Sequence, residues 1–158
     1  MNTITVLVCP FCGSTDFEEY HSCCVSNVYF DADEKRVKVE NIEPCGESVT
    51  TLRCIKCGND VPYIYITIVD KEVINKFVEL VKKENEVEKE EQEREIRKEK
   101  LKLILKALNE GKAYIEGLKE WEVKEWLELV KENNIYLDDS EILDLTSSMY
   151  NKLVKNIV

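Results

Sequence analysis

The chain has 158 residues, a net charge of −10, and 34% charged against 44% hydrophobic residues. A chain of this size forms one or two small domains, and this composition predicts a folded protein. The negative charge disfavours nucleic acid as a partner, because binding to phosphate backbones depends on Lys and Arg. The longest apolar run, 61–69, is too short to cross a bilayer, and no secretory leader pattern is present. We therefore expect a cytoplasmic protein without a membrane partner.

Residues 1–70 carry the signals of an antiparallel β domain. All seven cysteines, all three prolines and the one histidine lie before Asp70, and the residues after it are rich in Lys, Glu and Leu. Runs of β-branched and apolar residues bounded by turn residues predict strands. The predicted strands are 3–8, the two arms of a hairpin at 25–30 and 37–42, then 48–53 and 61–69. The change of composition at Asp70 predicts a domain boundary.

Residues 71–100 are expected to form a long charged helix. Apolar residues follow helical spacing through 73–81, but within 82–95 only Val87 is apolar. Glu and Lys favour helix, and opposite charges recur four residues apart at Glu90/Arg94 and Glu93/Arg97. The prediction is a solvated helix that acts as a stalk, and a flexible charged linker is the alternative.

Residues 101–158 predict a small helical bundle, because three stretches place apolar residues on one helical face. Trp126 belongs to the second apolar face and is expected in the core, whereas Trp121 falls outside it and is a candidate contact for a partner. Gly111 is positioned to end the first helix. The apolar positions are Leu101, Ile104, Leu105 and Leu108, then Val123, Trp126, Leu127 and Val130, then Ile142, Leu145, Met149, Leu153 and Ile157.

The predicted fold class is therefore α+β: an N-terminal antiparallel β domain, then a long charged helix, then a small helical bundle. The number of apolar residues on the three faces is small for helices of this length. We accordingly expect the helices to pack against a protein partner or against a second copy in a homo-oligomer.

Two Cys-x-x-Cys-Gly motifs are the strongest chemical signal in the chain. They are formed by Cys9 and Cys12 and by Cys54 and Cys57, each pair followed by glycine. Each pair can supply two sulfurs to a tetrahedral ion, and the glycine permits the left-handed backbone of such a turn. The motifs predict one structural Zn²⁺ bound by all four cysteines. A redox pair, a disulfide or a four-cysteine iron site are the alternatives that spacing leaves open.

The other three cysteines have no such spacing. Cys23, Cys24 and Cys45, with His21 nearby, could form a second metal site, but adjacent cysteines are poor ligands for one ion. We expect them to be free, buried cysteines and His21 not to be a ligand. The chain is rich in Lys, Glu and Ile and has a single glutamine, Gln92, which is typical of thermophile proteins.

The segments Cys9-Pro10-Phe11-Cys12-Gly13-Ser14 and Thr50-Thr51-Leu52-Arg53-Cys54-Ile55-Lys56-Cys57-Gly58-Asn59 resemble the zinc-ribbon family. The resemblance covers about the first 60–65 residues and implies that the β domain is a zinc ribbon. It also implies structural cysteines and a binding or scaffolding role of the kind found in transcription proteins. Within that family, the polymerase transcript-cleavage factors carry an acidic pair just before the two threonines. This chain departs from them, because its acidic pair Asp33-Glu34 lies earlier and Gly46-Glu47 occupies that position.

No catalytic set is recognisable, since there is no Gly-rich phosphate loop and only one histidine. The expected function is that of a non-catalytic zinc-binding adaptor or regulator that acts through protein–protein interaction, associated with transcription. Two alternatives remain: an RNA polymerase accessory factor that uses the acidic hairpin at Asp33-Glu34, and a zinc ribbon that binds nucleic acid directly.

Overall fold

The computed structural model describes residues 3–21, 25–41, 51–115, 120–132 and 140–156, without the side chains of 41, 120–124 and 150–156. The α+β class is confirmed, because antiparallel strands precede a set of helices. The described strands are β1 (Ile4–Val6), β2 (Asp16–Tyr20), β3 (Val25–Asp31), β4 (Arg36–Asn41), β5 (Thr51–Cys54), β6 (Ile66–Ile68) and β7 (Ala113–Ile115). The described helices are α1 (Lys71–Glu86), α2 (Glu90–Asn109), α3 (Glu120–Glu132) and α4 (Ser140–Asn156).

Four strands form one antiparallel sheet in the order β4-β3-β2-β5. The predicted hairpin is confirmed as β3 and β4, which pair from Ser26↔Asn41 to Asp31↔Arg36. Strand β2 has no counterpart among the predicted strands, because three of its five residues are acidic. Its alternation nevertheless buries Phe17 and Glu19 on one face of the sheet.

The other sheet has three antiparallel strands in the order β1-β6-β7. The predicted strand over 61–69 is wrong in extent, since β6 covers only Ile66–Ile68. The reason is that the two ends of this run serve different sheets: the N–H of Val61 donates to the carbonyl of Leu52 beside β5, and Pro62 has no N–H to donate. Strand β7 lies after α2 and pairs with β6, which links the helical region to this sheet.

The charged stretch 82–95 is helical, as expected, but it is not one continuous helix. Helix α1 ends at Glu86 and α2 begins at Glu90. The two helices pack side by side in antiparallel directions, because Glu84 near the end of α1 pairs with Lys100 in the middle of α2. The stretch therefore contains the turn of a helical hairpin, and part of its charge is buried.

Helix ends follow local sequence signals. Asp70 caps α1 by accepting a hydrogen bond from the N–H of Val73 at 3.1 Å. Gly111 has φ of +76° just after α2, and the N–H of Lys112 donates to the carbonyl of Ala107 at 2.8 Å. This arrangement is a Schellman cap, so the prediction for Gly111 is confirmed. The cap turns the chain directly into β7.

The main hydrophobic core lies between the three-stranded sheet and the helices. It contains residues from both sides of Asp70, such as Ile66 in β6, Phe77 in α1 and Leu101 in α2. Trp126 of α3 is buried there and its indole N–H donates to the carbonyl of Val8 at 3.2 Å, which confirms its predicted place. The side chain of Trp121 is not among those described. None of the described helices is long and apolar enough to span a bilayer.

Glu19 is a buried carboxylate whose phenolic partner comes from a distant segment. The hydroxyl of Tyr63 donates to Oε2 of Glu19 at 2.6 Å, and the hydroxyl of Tyr65 donates to that of Tyr63 at 3.2 Å. We expect Tyr63→Phe to lower the free energy of unfolding by about 1–3 kcal/mol, because it removes a donor from a buried charge. Tyr65→Phe should cost less than about 0.5 kcal/mol, since its hydroxyl is exposed. Urea unfolding of both variants makes the comparison, and equal losses would contradict it.

The same contact predicts a dependence on alkaline pH. Burial, and then the bond to Glu19, raise the pKa of Tyr63 above its ordinary value. The folded chain therefore holds this proton more tightly than the unfolded chain. The stability tied to Tyr63 is fully present below the unfolded pKa of about 10 and decreases as pH rises above it. Tyr63→Phe should show a weaker loss of stability above about pH 10 than the parent chain.

Candidate metal centre

The four cysteines of the two motifs lie together. The sulfur of Cys9 is 3.7 Å from that of Cys57, and the sulfur of Cys12 is 3.6 Å from that of Cys54. All four sulfurs lie within 4.8 Å of one another. A tetrahedral zinc with bonds of about 2.3 Å needs sulfurs about 3.8 Å apart, so the spacing fits such an ion. The chain can therefore bind a metal ion at this point.

Each cysteine pair lies on a tight turn, and the two turns are built alike. In the first knuckle, residues 9–14, the N–H of Cys9 donates to the carbonyl of Ser14, and the N–H of Gly13 donates back to the carbonyl of Cys9, both at 2.9 Å. The second knuckle, residues 54–59, repeats both bonds. There the N–H of Cys54 donates to the carbonyl of Asn59 at 3.0 Å, and the N–H of Gly58 donates to the carbonyl of Cys54 at 2.9 Å.

Strand β2 joins the two knuckles. It begins just after the first knuckle and pairs with β5, whose last residue, Cys54, is opposite Phe17. A small second hydrophobic core lies beside the sulfurs and contains two of the four cysteines together with apolar residues. Its buried members are Leu7, Cys9, Phe17, Val28, Leu52 and Cys54. The sheet thus sets the distance between cysteine pairs that are far apart along the chain.

The two glycines that follow the cysteine pairs share a backbone conformation but not an environment. Gly13 has φ of +79° and Gly58 has φ of +74°, a region that residues with a Cβ rarely adopt. A Cβ at Gly13 would lie 2.2 Å from the carbonyl oxygen of Arg97 in α2, whereas one at Gly58 would meet nothing within 4 Å. Gly13 is therefore the point where α2 rests on the first knuckle.

The matched substitutions Gly13→Ala and Gly58→Ala should separate these two effects. Gly58→Ala should lower the free energy of unfolding by about 1–2 kcal/mol, through backbone conformation alone. Gly13→Ala should cost about 2–4 kcal/mol, because the knuckle and α2 must also move apart. Denaturant unfolding of the metal-loaded variants measures both losses. A Gly13 variant no worse than the Gly58 variant would show that α2 does not rest on this knuckle.

Electrostatics favour a cation among the sulfurs. Cys9 and Cys54 are buried, and Cys12 and Cys57 are partly exposed. Burial, and then the three neighbouring sulfurs, raise the pKa of the Cys9 thiol far above its ordinary value. Hydrogen bonds from Cys12, Cys54 and Cys9 lower the pKa of the Cys57 thiol. Without a cation, four thiolates so close together would repel one another, and a divalent ion removes that repulsion.

A group of charged residues lies between the knuckles and the helical hairpin. Lys100 is fully buried and pairs with Glu84, which is 4% exposed at its side chain. Arg97 approaches Glu84 at 3.9 Å and Glu93 at 3.1 Å, and Glu93 also pairs with Lys56 of the second knuckle at 2.6 Å. Glu93 and Arg97, four residues apart in the sequence, thus form an ion pair. Glu90 and Arg94 form none with each other in the described residues, but they too lie in α2, so the helix that this spacing predicted is present.

The negative charges of the acidic turn between β3 and β4 are balanced by basic residues of β4. Oδ1 of Asp31 accepts from the N–H groups of Asp33 and Glu34, and Lys38 lies 3.1 Å from Asp31 and 2.7 Å from Glu34. The N–H of Glu34, and then Lys38, lower the pKa of Asp31. Lys38, and then Arg36, lower the pKa of Glu34. These carboxylates are held by hydrogen bonds and ion pairs within the hairpin, and a metal ion held there would have to compete with Lys38.

His21 lies outside the four-sulfur group, with its Nε2 3.3 Å from Oγ of Ser26 and 3.9 Å from Glu19. Cys23, Cys24 and Cys45 fall outside the ranges that the structure describes, as do Gly46-Glu47.

Comparisons with protein-family models, curated proteins and solved structures give no match for this chain. The likeness to a zinc ribbon therefore depends on the cysteine motifs and on the geometry of the two knuckles.

Proposed function

We propose that this chain binds one structural Zn²⁺ through Cys9, Cys12, Cys54 and Cys57, and that it acts as a non-catalytic adaptor or regulator by binding a protein partner. The observation that carries the proposal is the closed group of four sulfurs. Four thiolates complete the tetrahedral coordination of zinc, whereas catalytic zinc keeps one position open for water or substrate. Bound there, zinc would stabilise the fold of the two knuckles.

A protein partner is favoured by the outer face of the four-stranded sheet. Tyr20 and Tyr29 lie partly exposed on this face, and their hydroxyls donate to Glu18 and Glu40, each at 2.8 Å. The guanidinium of Arg53 lies 4.9 Å from the ring centroid of Tyr20. Tyrosine and arginine are enriched in protein interfaces. The accompanying carboxylates, together with the net charge of −10, favour a protein over a nucleic acid.

An association with transcription rests on the resemblance of the cysteine segments to zinc ribbons and remains part of the proposal. The acidic-hairpin alternative makes a distinct prediction, namely that Asp33→Ala with Glu34→Ala abolishes a stimulation of transcript cleavage. Direct binding to nucleic acid makes another, namely an affinity that falls steeply with salt.

The test is capture of partners by the tagged, zinc-loaded chain from nuclease-treated native extract. A specific protein should be retained by the parent chain and lost with Tyr20→Ser plus Tyr29→Ser. Tyr114→Ser is the matched control, because Tyr114 is 45% exposed on the other sheet. Metal analysis of the same preparation should give about one zinc per chain. Capture that is seen only from extract without nuclease treatment, or that survives the double substitution, would contradict the proposed face.

A further inference from the structure

Helix α2 is held by different contacts along its two halves. From Leu101 onward it buries apolar residues in the main core, among them Ile104 and Leu105. Residues 90–99, which we call the polar half, contain one apolar residue, Ile96, and that residue is only half-buried. A helical segment with few buried apolar contacts opens readily, because most helical stability in proteins comes from packing. The polar half therefore depends on its charged and backbone contacts.

The polar half contacts both knuckles. Oε1 of Glu93 lies 2.6 Å from Nζ of Lys56 in the second knuckle. In the first knuckle, Gly13 lies so close to α2 that a Cβ on it would be 2.2 Å from the carbonyl oxygen of Arg97. On the side of α1, the guanidinium of Arg97 approaches Glu84 only at 3.9 Å. The close contacts of this segment are therefore with the knuckles.

The two contacts fit one separation of the knuckles. Glu93 and Arg97 are four residues apart, which places them about 6 Å apart along the helix. Since a helix is stiff, both contacts form together only when the two knuckles are held at the matching distance. In the structure this distance is the one at which all four sulfurs lie within 4.8 Å of one another.

A bound metal ion is what would hold the knuckles at that distance. The hydrogen bonds from Cys9, Gly13, Cys54 and Gly58 close each knuckle on itself and do not join the two. The pairing of β2 with β5 fixes the base of the second knuckle at Cys54, whereas Lys56 lies beyond the end of that strand. Without a cation, neighbouring thiolates would repel one another and move the knuckles apart.

We propose that the polar half of α2 is a metal-dependent docking element, which lies on the knuckles while their sulfurs hold a metal ion and separates from them when the ion is lost. This inference rests on the zinc site of the proposed function and adds a means of regulation to it. The main core contains none of the four motif cysteines, so it keeps α1 and the second half of α2 in place. Metal would then control the surface that the knuckles and α2 present to a partner.

Hydrogen–deuterium exchange of the full chain, measured with zinc and after treatment with a strong chelator, tests the proposal. With zinc, the N–H groups of 94–99 and of 104–108 should both exchange slowly. After metal removal, those of 94–99 should exchange within about tenfold of the rate of an unfolded chain. Those of 104–108 should stay protected by at least about a hundredfold, because they report on the main core.

A substitution in the second knuckle tests whether the metal acts through the contact with α2. In the zinc-loaded chain, Lys56→Ala should speed exchange at 94–99 by about two- to fivefold, as expected for losing one partly exposed ion pair. After metal removal it should have no further effect, since the contact is then already lost. Lys112→Ala is the matched control, because it removes an ion pair with Glu110 at the other end of α2. It should leave exchange at 94–99 unchanged in both conditions.

Metal content, measured on the same samples, separates this inference from the proposed function. A parent chain that holds no zinc would contradict the metal site itself. The docking element alone is overturned if a zinc-binding chain keeps its protection at 94–99 after metal removal, or if 104–108 loses protection together with 94–99. It is also overturned if Lys56→Ala speeds exchange by the same factor with and without metal.

Discussion

Replacing Cys54 by alanine should remove tightly bound metal and lower the unfolding temperature by about 8–16 °C. A ligand present at about a thousand times its Kd stabilises the folded state by about 4 kcal/mol. For a chain of this size, each kcal/mol corresponds to about 2–4 °C. The effect should be large because Cys54 is fully buried in the small core beneath the knuckles, where it also contacts Cys12. Elemental analysis and thermal unfolding give the two readouts.

Two further preparations make this result specific to the metal. The parent chain treated with a strong chelator should unfold close to the temperature of the Cys54 variant. Cys23→Ser, which changes a cysteine outside the two motifs, should keep its metal. Acidification should also release the metal, because protons compete with it for the thiolates. A Cys54 variant that still holds one metal ion per chain would refute the assignment of the site.

Lys100→Ala should lower the free energy of unfolding by about 3–5 kcal/mol, although lysine is usually a surface residue. Lys100 is completely buried, and its ammonium pairs with Glu84 and lies 3.5 Å from Oγ1 of Thr15. Without Lys100, the carboxylate of Glu84 would stay buried, and among the described residues its one remaining ion pair would be that with Arg97, at 3.9 Å. The loss is that of an uncompensated buried charge, and chemical denaturation measures it.

The double variant Glu84→Leu with Lys100→Met distinguishes this cause from lost packing. Replacing both charges by apolar residues of similar size should recover most of the stability, because no buried charge then lacks its partner. Lys83→Ala is the surface control: Lys83 pairs with Glu79, their side chains are 58% and 65% exposed, and its removal should cost less than about 1 kcal/mol. If Lys100→Ala behaved like Lys83→Ala, the buried pair would not be a stabilising contact between the two helices.

Local patterns in the sequence determined the parts of this protein that depend on neighbours along the chain. The Cys-x-x-Cys-Gly motifs predicted both knuckles, because a metal-binding turn needs two sulfurs and a left-handed glycine within five residues. The hairpin of β3 and β4, the apolar face of α1, the core position of Trp126 and the cap at Gly111 likewise followed from short-range spacing. Each of these features depends on residues that are close together in the sequence.

Only the tertiary structure decided how residues with similar sequence surroundings differ in packing and burial. Gly13 and Gly58 have the same motif position, but α2 packs on Gly13 alone. Glu84 and Lys100 occur in a charged stretch that predicts a solvated surface, yet the antiparallel packing of α1 and α2 buries both. Strand β7 could not be predicted from the sequence either, because its three residues form a strand only by pairing with β6. Burial and strand pairing depend on contacts between distant segments, and such contacts leave no period in the local sequence.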